Sequence, residues 1–131
     1  MKTKIFYLFA LIVLAACKHK HDHPQTEEPI NIQVINPKAD SVYQSGNRIA
    51  INIAMSFRYE MHGYHLKLTN ETNPNLVIEL KKHTHGQTFS IDTAFTPNVT
   101  AETQYKLWVL AEKDHDGNGT EKAIYFKVKQ P

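Results

Sequence analysis

The chain has a single cysteine in 131 residues, no apolar run long enough to cross a bilayer, no surplus of clustered basic residues and no helical periodicity. A lone thiol, Cys17, cannot close an internal disulfide, so the fold must rest on a packed core rather than on covalent staples. It also rules out a cysteine nucleophile if that thiol is consumed otherwise. The apolar run Ile5 to Val13 falls short of the roughly 20 residues of a membrane-spanning helix. The polar stretch Lys18 to His23 follows soon after, which argues against a permanent anchor made of protein.

What the N-terminus does contain is ordered like an address. Lys2 and Lys4 precede the apolar run, and small residues close it at Leu14, Ala15, Ala16 and Cys17, the charged, apolar and small-residue regions of a secretory signal. Leu14-Ala15-Ala16-Cys17 resembles the lipobox of bacterial lipoproteins. The resemblance implies cleavage before Cys17, thioether-linked diacylglycerol on its sulfur and acylation of its new amine. Lys18 is similar to residues compatible with sorting to the outer membrane, so the expected location is the cell envelope, lipid-anchored and facing the periplasm or the exterior. A secreted protein whose signal merely ends in cysteine is the plainer alternative.

Removing residues 1–16 takes Lys2 and Lys4 with it and leaves 115 residues with 13 basic and 13 acidic side chains. That length suits one domain with an adequate core. A formal charge of zero argues against nucleic acid, because phosphate binding needs clustered Lys and Arg in excess. Residues 17–29 carry the cysteine that the resemblance implies is lipidated and a polar His-rich tether without hydrophobic periodicity. Residues 30–131 form the expected domain.

From Ile30 onward the apolar residues recur with period two, the signature of half-buried strands. Ile30, Ile32 and Val34 give a short first strand ended by Asn36-Pro37; Ile49, Ile51, Ile53, Met55 and Phe57 give a second after the Ser45-Gly46-Asn47 turn. Tyr64, Leu66 and Leu68 predict a third, and Leu76, Ile78 and Leu80 a fourth, joined through Asn70–Asn75 as a hairpin. A fifth is expected around Phe89 and Ile91, a sixth from Tyr105 through Leu107 and Val109 to Ala111, and a seventh over Ile124, Phe126 and Val128. Seven short alternating strands without a helix predict an all-β, two-sheet antiparallel sandwich of immunoglobulin type. Trp108 and the strand-phase Tyr and Phe residues read most simply as core or sheet-face packing.

The segments Met61-His62-Gly63-Tyr64, His83-Thr84-His85-Gly86 and Asp114-His115-Asp116-Gly117-Asn118 resemble small lipoproteins of unknown function with immunoglobulin-like domains from Gram-negative bacteria. The resemblance covers most of the mature chain. It implies location and fold, and brings no activity with it.

The residue present in excess is histidine: His19, His21, His23, His62, His65, His83, His85 and His115. If consecutive strands run antiparallel, every second connection lies at the same end of the domain. His62 and His65, then His83 and His85, then His115 fall on such connections, and the tether with His19, His21 and His23 should emerge near the same pole. Strand pairing also sets the Met61–Gly63 region opposite His83. Neutral imidazole is the commonest side-chain ligand of zinc, copper and nickel, and several must meet around one ion. The candidate ligands are His62, His65, His83, His85 and His115, with Asp114, Asp116 and Met61 as further ligands or outer partners. The tether imidazoles are auxiliary candidates. Asp114, Asp116, Asn118 and Gly119 match the first, third, fifth and sixth positions of an EF-hand calcium loop, but Tyr125 stands at the twelfth, which favours a plain hairpin turn over calcium.

Three functional classes follow. The leading expectation is a non-enzymatic module that binds a transition metal (zinc or copper, or nickel) at the membrane surface, for storage, delivery, sensing or protection, with binding that weakens below about pH 6 as protons compete for imidazole. The alternative is a structural or adhesive module that binds an envelope protein or a glycan through the same loops without metal, its histidines being solvated loop residues. Hydrolysis at an open His-bound zinc is the third; it is disfavoured because no glutamate lies beside the His groups in a metallohydrolase motif.

Overall fold

The computed structural model describes residues 28–131. The expected signal peptide, Cys17 and the tether residues His19, His21 and His23 therefore lie outside the described residues. Six strands follow in order: β1 (Asn31–Asn36), β2 (Val42–Gln44), β3 (Ile49–Asn70), β4 (Asn75–Phe95), β5 (Thr103–Glu112) and β6 (Gly119–Lys129). No helix occurs among the described residues.

The all-β expectation holds, but the strands are divided differently from the sequence reading. The expected second and third strands are one strand, β3, and the expected fourth and fifth are one strand, β4. The short β2 was not expected at all. It pairs parallel with β6, Val42 opposite Lys127 and Gln44 opposite Lys129, whereas every other pairing is antiparallel. The strands form one connected sheet in the order β1-β3-β5-β6-β2 with β4 on β3, in place of two separate sheets of about seven strands.

The two long strands explain the connection. β4 runs along one edge of β3 for nearly its whole length. The other edge is shared in succession: β1 pairs with Asn52–Ser56 and β5 with Gly63–Asn70. Between those halves the inward-facing residues change phase. Ile49, Ile51, Ile53, Met55 and Met61 are buried at odd positions, but Leu66 and Leu68 at even ones. Side chains alternate along a strand, so a phase change requires irregular backbone. It lies between Met61 and Leu66, where the register slips between Met61, opposite Gly86, and Gly63, opposite His83. Just ahead of it Ser56 pairs with Thr88 and Met61 with Gly86, so Phe57 to Glu60 face only Gln87 across the ladder. The bulge and the slip at Gly63 together let one strand serve both walls of the core.

Both walls close on a single cluster. Ile51, Ile53 and Met55 from the first half of β3, Leu66 and Leu68 from the second, Leu107 and Val109 from β5, and Phe126 and Val128 from β6 are almost completely buried. Each such side chain removed from water contributes about 1.5–3 kcal/mol, which accounts for a stable domain without disulfides. Phe126 stacks on Tyr105 at 5.6 Å and meets Phe95 and Tyr43 edge-on. Burial raises the Tyr105 hydroxyl above its ordinary pKa.

Candidate metal centre

The bend of β3 positions the site. Gly63 pairs with His83 of β4 on one side and with Glu112 of β5 on the other, with a backbone φ of +154°. A side chain there would collide with the Lys82 carbonyl oxygen and crowd His83 Cα at 3.3 Å, so only glycine allows the three backbones to approach so closely. His62, next to it, is thereby held against β4 and against the turn that joins β5 to β6.

That turn is organised by Asp114. Its Oδ1 accepts the backbone N–H groups of Asp116 at 2.9 Å and Asn118 at 3.1 Å, and its Oδ2 accepts the Asn118 amide at 2.9 Å. Lys113 N–H donates to the Asn118 carbonyl at 2.7 Å and closes the loop. The Asn118 side chain, then the two backbone N–H groups, hold the Asp114 carboxyl below the usual carboxylate range, and the nearby His62 adds to this. The Asp-x-Asp-x-Asn pattern thus serves a hairpin turn, in which His115 occupies an exposed position.

Four imidazoles from two strands, β3 and β4, and the β5–β6 turn pack together here. The His62 ring lies 4.5 Å from His115 and 4.7 Å from His85 between centroids. His83 lies 5.0 Å from His85 and 5.1 Å from His115, and His85 lies 5.8 Å from His115. His62, His85 and His115 each offer a ring nitrogen, and these three atoms lie within 4.8 Å of one another. Zinc bound by imidazole at about 2.0–2.1 Å needs nitrogens roughly 3.3 Å apart in a tetrahedral set, a contraction within reach of side-chain rotation. His62 Nδ1 is buried without a hydrogen-bond partner, and such a group costs free energy until something satisfies it.

Not every residue singled out from the sequence joins this group. His65 is separated from it: its Nε2 lies 2.7 Å from Glu79 Oε1, and its ring stands edge-on to Trp108 at 5.4 Å. The phase change at Gly63 sends it to a different part of the sheet surface, where its hydrogen bond, above all, holds the Glu79 carboxyl below its ordinary pKa. Met61 is a core residue with no exposed surface. Successive residues of a strand face opposite ways, which places its thioether on the side away from the His62 ring. Asp114 is committed to the turn, and Asp116 enters it through its backbone N–H while its residue as a whole is exposed. Trp108 is half-buried on the outer face of β5, its indole N–H donating to Glu121 Oε2 at 3.1 Å.

One neighbour escaped the sequence reading. Glu60 Oε1 lies 3.0 Å from His85 Nδ1. The two are 25 positions apart, and only the β3 bulge brings them together, so no local spacing announces the pair.

No family model matches the chain, and no curated protein matches it. Among solved structures, it is similar to the CARDB domain of a protein from Pyrococcus furiosus, solved in complex with di-metal ions, with a TM-score of 0.52 and 9% sequence identity over 78% of this chain and 94% of that one. At that identity the likeness concerns the fold, and the all-β domain is immunoglobulin-like in that sense.

Proposed function

We propose that the protein is a lipid-anchored component of a bacterial cell envelope whose imidazole cluster binds a divalent transition metal ion, zinc, copper or nickel, without catalysing a reaction. The observation that carries the reading is the meeting of His62, His85 and His115 nitrogens within 4.8 Å, supplied by the β3 bend, the middle of β4 and the β5–β6 turn. The unsatisfied His62 Nδ1 gives one of them a reason to accept a cation. His83 stands close enough in ring position to complete a fourth donor. With Met61 in the core, the donors at hand are nitrogens, which suit zinc, nickel or copper(II) better than copper(I). The di-metal ions of the fold neighbour are compatible with this role.

The start of the domain supports a membrane-proximal site. Glu28 reaches Arg58 on the β3 bulge at 3.4 Å, and Ile30 N–H donates to Thr120 Oγ1 at 2.8 Å. The described chain therefore begins at the imidazole end of the domain.

The reading is tested by titrating Zn²⁺, Cu²⁺ and Ni²⁺ into the tag-free chain from residue 18 onward and into a variant with His62, His83, His85 and His115 replaced by Ala. Stoichiometric uptake by the first and its loss in the second are expected. Equal, weak uptake by both removes the metal reading and leaves the adhesive module. Labelled palmitate should enter the full chain in a bacterial host and fail to enter Cys17→Ala.

A further inference from the structure

We infer that Glu60 is the positioning residue of the metal site, fixing His85 in the tautomer that ligates through Nε2. The inference rests on the metal reading above and goes one step beyond it, to the outer shell that sets how tightly the ion is held. An ionised carboxylate can only accept hydrogen bonds. With Glu60 Oε1 at 3.0 Å from His85 Nδ1, that nitrogen must carry the proton, and Nε2 is left with the free lone pair. This is the carboxylate–imidazole–metal relay that orients ligands and raises their basicity in known sites.

The backbone supports the same assignment. Glu60 sits on the β3 bulge, where Phe57 to Glu60 face only Gln87, and Gln87 Nε2 donates to the Arg58 carbonyl at 3.0 Å to pin that excursion to β4. Without those additional residues β3 would run straight past His85. His65 with Glu79 provides an internal control, since it is also a carboxylate–imidazole pair, joined through Nε2 at 2.7 Å, outside the imidazole cluster. The Glu60 and His85 side chains are 59% and 44% exposed, and an exposed pair of this kind adds little to folding stability. Glu60 can therefore be changed without unfolding the domain.

The test uses the tag-free full chain carrying His19→Ala, His21→Ala and His23→Ala, so that the tether does not contribute. Zn²⁺ affinity is measured for this background and with Glu60→Ala, Glu60→Gln or Glu79→Ala added. The imidazole carbon resonances of His85, which differ between Nδ1 and Nε2 ligation, are recorded in the zinc-loaded state. The expected result is a loss of about 10- to 100-fold in affinity for Glu60→Ala, a smaller loss for Glu60→Gln, whose amide oxygen still accepts, and none for Glu79→Ala. The background protein should show His85 bound through Nε2. Zinc binding that is intact in the background and unchanged in Glu60→Ala, or a His85 bound through Nδ1, overturns the role of Glu60 and leaves the metal site standing. A background protein without stoichiometric zinc overturns both.

Discussion

Replacing Gly63 with alanine probes the bend and the site together. The residue has φ +154°, and a Cβ would strike the Lys82 carbonyl and come within 3.0 Å of Glu112 Oε2 and 3.3 Å of His83 Cα. Gly46 offers the contrast: its φ is +84°, and nothing lies within 4 Å of an added Cβ. Both substitutions incur the cost of a positive φ for an L-residue, about 1–2 kcal/mol. Only Gly63→Ala adds a backbone collision, about 1–3 kcal/mol more. A domain of this size shifts its melting temperature by roughly 4–8 °C per kcal/mol, so Gly63→Ala should melt at least about 4 °C below Gly46→Ala by circular dichroism. Because β3 must move away from His83, Gly63→Ala should also weaken zinc binding, although no ligand has been removed. Equal melting temperatures for the two variants, with unchanged zinc binding in Gly63→Ala, would refute the close approach on which the geometry depends.

Other expectations concern the core, the turn and pH. Leu107→Ala, in a fully buried position, should cost about 2–5 kcal/mol in urea unfolding, whereas Leu76→Ala, at 51% exposure, should stay within about 0.5 kcal/mol of the parent. Asp114→Ala removes the acceptor of three hydrogen bonds in the β5–β6 turn and should lower zinc affinity by releasing His115, with Asp114→Asn retaining part of it; unchanged affinity in calorimetry would show that the turn needs no such anchor. Glu102 is held below the usual carboxylate range, chiefly by its hydrogen bond from Lys127. Its contribution is complete above the ordinary glutamate value of about 4.3 and is lost as pH falls through its lowered native value. Melting curves of Glu102→Gln should accordingly decline less steeply from about pH 5 to 3 than those of the parent.

The core was legible because alternation is a direct image of the pleat. Ile49, Ile51, Ile53 and Met55 in one phase, Leu66 and Leu68 in another, and Tyr105 through Ala111 in a third are buried as their spacing requires. The continuity of β3 was not legible. A bulge interrupts alternation just as a loop does, so the bend between Phe57 and Tyr64 reads as a connection between two strands. The fused β4 was hidden for a related reason: Leu76 is exposed while Ile78 and Leu80 are half-buried, and an outer strand carries a weaker pattern. β2 is too short to show any period, and its parallel partner β6 lies at the far end of the chain. The meeting of His62, His83, His85 and His115 followed from counting connections, and the fused strands preserve it because a strand crossing between walls occupies the place a loop would have held. His65 did not follow, since the phase change at Gly63 lies between it and His62. Glu60 was invisible because its partner is fixed by the bulge and by no motif.

The central claim is that imidazoles from the β3 bend, the middle of β4 and the β5–β6 turn bind one ion together. X-ray absorption spectroscopy of the zinc-loaded domain, with His19, His21 and His23 replaced by Ala, counts them directly. The account predicts three or four imidazole nitrogens at about 2.0–2.1 Å, diminished when His62 or His115 is replaced by Ala. A shell of water or carboxylate oxygens with no more than one imidazole, unaltered in those variants, would contradict it.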